Sequence, residues 1–248
     1  MAHVFLMSVV GRVIGNWIKS ARLMTDNYGF LAIWCDIASE DLNDYRDWLT
    51  KEHIADRTFS PGFLGVRLFD ALDDERSHFI LYATESPAVL SAPAYQAILD
   101  NPSPWTQAIM PKFGNFDRAI GAQRLKIGNG YGAFIAVWRL QVDLSDLDWG
   151  LVDEHLGRVL DMAGAVSVRV FEVDDGVTDR PSVEKTMRTG KEGAFDLLVV
   201  AELISESAAI AIQSRMSDLL PVIFPGLGQF DVSCRKMLYG EAPHEGPA

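Results

Sequence analysis

Gly65-Val66-Arg67-Leu68-Phe69-Asp70 and Ser167-Val168-Arg169-Val170-Phe171-Glu172 are two versions of one strand, and their recurrence decides the fold. Each follows a Glu-His pair, so 102 positions separate both the arginines (169 minus 67) and the histidines (155 minus 53). A third match starts at Pro111 and Pro225 with an offset of 114, so the second copy holds a net 12 more residues (114 minus 102). A repeat of roughly a hundred residues indicates a duplicated domain rather than a solenoid unit.

Both copies predict the same order of elements. In the first copy, apolar runs and helix-start signals predict strands at 29–37, 63–71, 78–84 and 113–120, with helices at 39–53 and 86–99. In the second copy they predict strands at 131–142, 165–173, 194–203 and 230–239, with helices at 147–162 and 205–223. This βαββαβ order is the ferredoxin-like unit, whose antiparallel sheet carries helices on one face only.

The uncovered face of each sheet must pack against something, and the second copy supplies a partner. We therefore predict an α+β fold in which two tandem ferredoxin-like βαββαβ repeats pack their antiparallel sheets into one α/β barrel. The predicted divisions are an N-terminal extension (1–27), repeat 1 (28–127), repeat 2 (128–241) and a tail (242–248).

Two short motifs carry a family resemblance: Trp48-Leu49-Thr50-Lys51-Glu52-His53 and Pro61-Gly62-Phe63. With the order of elements they make residues 28–241 resemble the dimeric α/β-barrel superfamily, here as a tandem-duplicated single chain. The resemblance implies the barrel fold. It leaves the activity open, since the superfamily includes monooxygenases, isomerases, lyases, polyketide cyclases and haem enzymes.

Composition narrows the range of partners. The formal net charge of −12 argues against nucleic acid or an anionic membrane, because both would repel the chain. Cys35 and Cys234 stand far apart in no metal-binding spacing, which fits a reducing, cytoplasmic location. No run approaches the ~20 apolar residues that span a bilayer. We expect a small-molecule substrate, no metal, no cofactor and a possible homodimer.

Strand alternation directs two arginines toward the barrel interior. Leu64, Val66 and Leu68 form one face of the second strand, and Phe63, Gly65, Arg67 and Phe69 form the other. The corresponding residue in the second copy is Arg169. A buried arginine needs a partner. It can bind a ligand carboxylate or phenolate, it can form an internal ion pair with a glutamate, or it can lie at the barrel mouth and reach water.

His53 and His155 are the two histidines with catalytic potential, because they lie late in amphipathic helices beside the apolar stripe. The alternative for each is a histidine that caps its helix or satisfies the core. Only the first copy surrounds its histidine with aromatic and cationic residues, namely Tyr45, Trp48, Arg57, Tyr82 and Trp105. Core packing would also explain Tyr45 and Trp48, whereas Trp105 follows a Pro-Ser-Pro loop typical of a rim.

These residues predict one working pocket, in the first copy. We predict catalytic roles for His53, Arg67, Tyr45 and Tyr82. We predict that the substrate contacts Trp48, Phe69, Trp105, Arg57, Arg169 and His155. The chemistry favours a cofactor-independent lyase or isomerase acting on a small phenolic or carboxylated metabolite in aromatic catabolism, by decarboxylation or retro-aldol cleavage. A cofactor-independent monooxygenase and a non-catalytic binder are the alternatives. The polar segment 174–191, which includes the added residues, is expected to form a flap.

Overall fold

The computed structural model describes residues 28–145, 147–178, 180–188 and 195–242. The predicted N-terminal extension and residues 243–248 of the predicted tail lie outside the described residues.

Eight antiparallel strands close into one barrel in the order β1-β3-β2-β8-β5-β7-β6-β4. Their bounds are β1 Gly29–Asp36, β2 Phe63–Ala71, β3 Ser77–Thr84, β4 Gly114–Gly128, β5 Phe134–Leu140, β6 Ala165–Val173, β7 Leu197–Leu203 and β8 Phe230–Glu241. Each repeat contributes four neighbouring strands, in the orders β4-β1-β3-β2 and β8-β5-β7-β6. The predicted α+β fold of two ferredoxin-like units forming one barrel is confirmed.

The helices lie outside the barrel. They are α1 Leu42–Trp48, α2 Ile54–Thr58, α3 Pro93–Asp100, α4 Pro104–Ile109, α5 Trp149–Gly157, α6 Asp175–Thr178, α7 Val183–Met187 and α8 Glu206–Ile223. A π-helical turn, Leu49–His53, joins α1 to α2. The part of the chain that the structure describes also holds three 3₁₀ turns: Pro87–Ser91, Met110–Lys112 and Arg158–Asp161.

The fourth strand is longer than the sequence predicts, because it belongs to both repeats. Its first part, Gly114–Ala122, pairs with β1, and its second part, Gly121–Gly128, pairs with β6 of the other repeat. β8 does the same, since it pairs first with β5 and then with β2. The expected end at Ile120 was therefore wrong: the period-two pattern within one repeat does not report the strand that closes the barrel.

Three apolar clusters follow from this geometry. The barrel interior is filled from both repeats, for example by Phe30, Phe69, Phe79 and Phe171. The helix-facing side of the first sheet packs aromatic and aliphatic groups together. The same side of the second sheet is mainly aliphatic.

The predicted faces of β2 hold from Val66 to Phe69 but not at Phe63 and Leu64, where the register shifts. Val66 and Leu68 pack under the helices, and Phe69 lies in the barrel, as expected. Phe63 also packs under the helices, contrary to the expected alternation, because the register shifts between Phe63 and Gly65. Gly65 has φ +134°, a conformation that side-chain-bearing residues avoid, which permits this bulge.

The insert, residues 174–191, crosses from the second repeat to the first. Thr178 anchors it, because its Oγ1 accepts a hydrogen bond of 3.1 Å from the Ile120 backbone N–H of β4. Farther along, the Val183 N–H donates to Asp100 Oδ1 at 3.2 Å. In its described part the insert folds as α6 and α7 against the first repeat.

Within the described part of the chain, no helix combines the length and apolar character needed to cross a membrane.

Candidate active site

A cavity lies between the first sheet and its helices, on the side away from the barrel interior. We call it the helix-side cavity. Its aromatic walls are Trp48, Tyr82, Tyr95, Phe113 and Phe116. Its polar groups are His53, Arg57, Arg118, Ser182, Glu184 and Arg188. The remaining space is 30 Å³, room for about one or two water molecules.

His53 is the last residue of the π-helical turn, and its side chain enters this cavity. The residue is only 4% exposed, and its ring centroid lies 4.1 Å from that of Trp48. Its Nδ1 is buried and has no hydrogen-bond partner within the described residues. A π-helical turn widens the helix locally and is often found at functional sites. Here it brings an unsatisfied imidazole nitrogen to a cavity wall.

The environment keeps His53 neutral. Burial lowers its pKa well below the ordinary value of 6.5, and the positive charges of Arg57 and Arg188 lower it further. A neutral imidazole can accept a proton, and the neighbouring cations favour the anion that remains on a ligand after that transfer.

Three arginines give the cavity a positive character in a chain of net charge −12. Arg57 forms a buried ion pair with Glu184. Burial alone would lower the pKa of Arg57, but the Glu184 carboxylate more than offsets this and raises it. Arg188 lies over the Phe116 ring, with its guanidinium carbon 4.0 Å from the ring centroid. Arg118 is 6% exposed and has no carboxylate within 4.0 Å among the residues described.

The two tyrosines predicted to assist His53 differ in position. Tyr82 lines the cavity, and its buried hydroxyl has no hydrogen-bond partner among the described side chains and backbone. Burial raises the pKa of Tyr82, which Arg57 opposes only in part, so the phenol stays protonated. Tyr45 lies deeper, with its hydroxyl 3.4 Å from Cys35 Sγ, and is not part of the cavity wall. Burial, reinforced by Cys35, raises its pKa too.

The insert closes the cavity from the opposite repeat. Ser182 caps α7 by accepting a hydrogen bond from the Lys185 N–H at 3.2 Å, which orients the helix that carries Glu184 and Arg188. Glu184 is 6% exposed. The second repeat therefore contributes to the site through its insert rather than through His155.

The equivalent space in the second repeat is filled mainly by aliphatic side chains. The offset of 102 places Leu147 and Val159 where the first repeat has Tyr45 and Arg57. In the sheet, the Trp138–Val232 pair takes the place of the Ile33–Arg118 pair. His155 sits half-buried on α5, outside the helix-side cavity.

Arg67, Phe69 and Arg169 lie on the other face of the sheet, inside the barrel. Arg67 contacts Glu202 Oε1 at 2.8 Å, and Arg169 contacts the same oxygen at 3.1 Å. This is the internal ion pair that the sequence left open as an alternative. The sheet separates Arg67 from His53, so the two residues predicted to act on one substrate do not share a cavity.

Trp105 is half-buried on α4, and its Nε1–H donates to Asp44 Oδ1 at 3.0 Å. It lies outside the helix-side cavity, whereas Trp48 and Arg57 line it. The described residues contain no group of three or more metal-ligating side chains that could hold a metal ion.

Sequence reasoning missed Arg118, Glu184 and Arg188. The spacing of Glu184 and Arg188, four residues apart in a polar insert, resembles that of an ordinary surface helix pair. Arg118 follows the Phe116-Asp117 motif and shares the face of Phe116 and Ile120, a signal that strand alternation could have revealed.

No family model and no curated protein matches this sequence. Several solved structures share the fold. An anthrone oxidase-like protein superposes with a TM-score of 0.61 at 11% identity, covering 91% of this chain and 97% of that one. A candidate monooxygenase from Fusobacterium nucleatum subsp. nucleatum gives 0.55 at 11%, covering 88% and 96%. A candidate chlorite dismutase gives 0.52 at 11%, covering 86% and 95%.

Proposed function

We propose that this chain, which has the fold of the dimeric α/β-barrel superfamily in a tandem-duplicated form, is an oxygenase of a small, acidic aromatic molecule. The observation that carries the proposal is the unpartnered, neutral His53 imidazole in an aromatic cavity lined by three arginines. The structural neighbours described as an anthrone oxidase-like protein and a candidate monooxygenase support oxygen chemistry over the lyase or isomerase reading.

In the proposed mechanism, His53 removes a proton from a ring hydroxyl or an activated ring CH₂. Arg57, Arg118 and Arg188 stabilise the resulting anion, and the aromatic walls hold the ring plane. Tyr82 donates a hydrogen bond to an oxygen of the substrate. The electron-rich anion then reacts with O₂: one oxygen atom becomes a carbonyl on the ring, and the other leaves as water with the two hydrogens of the CH₂. The CH₂ group supplies all four electrons that reduce O₂, and the proton taken by His53 leaves in the water, so the step needs no external reductant.

A ring-containing substrate can enter the helix-side cavity only if the insert moves. The closed cavity has 30 Å³ of space, less than a single benzene ring needs. Glu184 occupies the position next to Arg57 that an anionic substrate would take. The substrate is therefore expected to displace the Glu184 carboxylate and the α7 helix that carries it.

Oxygen consumption separates the candidate functions. With anthrone as the first substrate, the proposal expects one O₂ consumed per quinone formed, and no turnover under nitrogen. A lyase or isomerase would turn over its substrate equally well without oxygen. A non-catalytic binder would bind the compound and release it unchanged. Binding without oxygen uptake across a panel of anthrones and polyphenols would contradict the proposal.

A further inference from the structure

A second cavity opens at one end of the barrel, on the face of the sheet opposite His53. We call it the barrel mouth. It measures 530 Å³, within the usual size range of small-molecule sites. Phe30, Leu81 and Phe171 form an apolar floor, and Arg67, Arg169 and Tyr131 form a polar wall. The proposed oxygenase function makes no use of these residues.

Charge is unbalanced in this wall. Arg67 donates to both oxygens of Glu202, at 2.8 and 3.0 Å, and Arg169 donates to Oε1 at 3.1 Å. Glu202 is fully buried and also accepts from the Gly132 N–H at 3.0 Å. Two guanidinium groups thus share one carboxylate, which leaves one positive charge uncompensated within this cluster.

The duplication shows where a second carboxylate is absent. Arg67 pairs in register with Leu81, and Arg169 pairs with Val200, so β3 and β7 correspond with an offset of 119 (200 minus 81). The same offset places Ala83 at the position of Glu202 (202 minus 119). Ala83 lines the barrel mouth. Each repeat provides one arginine, but only the second provides an acid, and an alanine leaves open space at the matching position.

Tyr131 adds a flat surface beside both cations. Its ring centroid lies 4.2 Å from the guanidinium carbon of Arg67 and 4.6 Å from that of Arg169. The side chain is 64% exposed, so it borders the entrance of the cavity. It can contact a ligand without any change in the barrel core.

We propose that the barrel mouth binds a small aromatic or aliphatic carboxylate. The ligand's carboxylate lies beside Ala83 and pairs with Arg67 and Arg169, and its apolar part covers Phe30, Leu81 and Phe171. A carboxylate fits better than a more highly charged anion, because one additional negative charge balances the two arginines and Glu202. The guanidinium group also binds carboxylates in a planar, bidentate geometry.

The test uses 2-naphthoate as the probe and isothermal titration calorimetry on the full chain. Wild type should bind 2-naphthoate and should not bind neutral 2-naphthamide. Ala83→Glu supplies the missing carboxylate from the protein itself, so it should weaken 2-naphthoate binding at least about tenfold. Ala83→Gln is the matched control: it has the same size but no charge, and it should bind the probe more tightly than Ala83→Glu.

Arg118→Leu distinguishes binding at the barrel mouth from binding in the helix-side cavity. Arg118 lines the helix-side cavity and not the barrel mouth, so this variant should bind 2-naphthoate with wild-type affinity. Thermal melts should show Ala83→Glu at least as stable as Ala83→Gln, since it neutralises a buried charge. If Ala83→Glu fails to fold, Tyr131→Ala provides the test, and it should weaken binding. The inference is wrong if wild type does not bind 2-naphthoate, or if Arg118→Leu abolishes binding while Ala83→Glu or Tyr131→Ala preserves it.

Discussion

His53 is a buried imidazole whose Nδ1 lacks a hydrogen bond within the described residues. Leaving such a group unpaired costs about 1–3 kcal/mol in the free protein. A ligand hydroxyl in the helix-side cavity would remove that cost by hydrogen bonding to Nδ1. The same burial that makes the nitrogen costly also lowers the pKa of His53, so the residue is ready to accept a proton at neutral pH.

The lowered pKa of His53 predicts a pH dependence of stability. The unfolded state takes up a proton near pH 6.5, whereas the folded state does so only at a lower pH. The unfolded state therefore binds more protons in that interval, and the free energy of unfolding falls as the pH decreases below 6.5. Chemical denaturation between about pH 7 and pH 5 should show a steeper loss for wild type than for His53→Gln. Parallel curves for wild type and His53→Gln would contradict the prediction.

Arg118 is a buried cation that lines the helix-side cavity. Arg118→Leu removes that charge but keeps an aliphatic side chain against Ile33, its register partner on β1. A charge-assisted contact contributes about 1.5–3 kcal/mol, so KM for an acidic aromatic substrate should rise about tenfold or more. Steady-state kinetics measure this, with Arg124→Leu as the matched control, because Arg124 lies on the same strand outside the helix-side cavity. Equal KM values for the two variants would show that Arg118 does not contribute to substrate binding.

At the scale of elements, α7 closes the helix-side cavity through the Arg57–Glu184 ion pair. Glu184→Gln removes the carboxylate that competes with an anionic ligand. Breaking a buried pair costs about 3–5 kcal/mol, so this variant should melt at a lower temperature than wild type. Its affinity for an acidic aromatic ligand should nevertheless rise, because Arg57 is left free to pair with the ligand.

Ligand titrations of Glu184→Gln and of Glu154→Gln measure this effect. Glu154 is an exposed glutamate on α5 that forms an ion pair with Arg158, so its substitution should change neither affinity nor stability appreciably. An unchanged or weakened affinity in Glu184→Gln would show that Glu184 does not occupy the anion position.

The elements that the sequence predicts well are those whose pattern is local. Val66 and Leu68 alternate with Arg67 and Phe69 over one strand, and two-residue periodicity reveals both faces. The bulge at Gly65 and the long β4 are not visible in this way, because they depend on a register shift and on pairing with a distant strand. The contact between Glu184 and Arg57 spans 127 positions, which no periodicity within one repeat encodes.

At the scale of the whole molecule, the two repeats share a closed barrel whose interior draws on both. Neither sheet can bury its inner face alone, so we expect a single cooperative unfolding transition. The seam between β4 and β6 is tight: a Cβ on Gly121 would lie 1.9 Å from the Glu172 carbonyl oxygen. Gly121→Val should therefore destabilise the protein by about 3 kcal/mol or more.

Denaturation followed by circular dichroism and by tryptophan fluorescence tests this cooperativity. Both signals should shift together in Gly121→Val. Gly176→Ala, on the described insert and away from the seam, is the control and should unfold like wild type. Two separate transitions, with only one of them moved by Gly121→Val, would show that the repeats unfold independently.

The duplicated sequence predicted the barrel because matching residues repeat, and it predicted a single pocket because other residues do not. Trp48, Arg57 and Tyr82, three of the residues predicted to surround His53, line the helix-side cavity. The sequence could not predict that Arg67 and Arg169 lie in a different cavity. Strand alternation shows which face of the sheet a residue occupies, but it does not show which residue lies opposite it across the barrel.

The most direct test of the account compares oxygen uptake by His53→Gln and His155→Gln, which alter the two matched positions of the repeat. The account predicts that His53→Gln loses at least about 100-fold in turnover and that His155→Gln keeps wild-type turnover. Equal losses in both variants, or none in His53→Gln, would contradict a single working pocket in the first repeat.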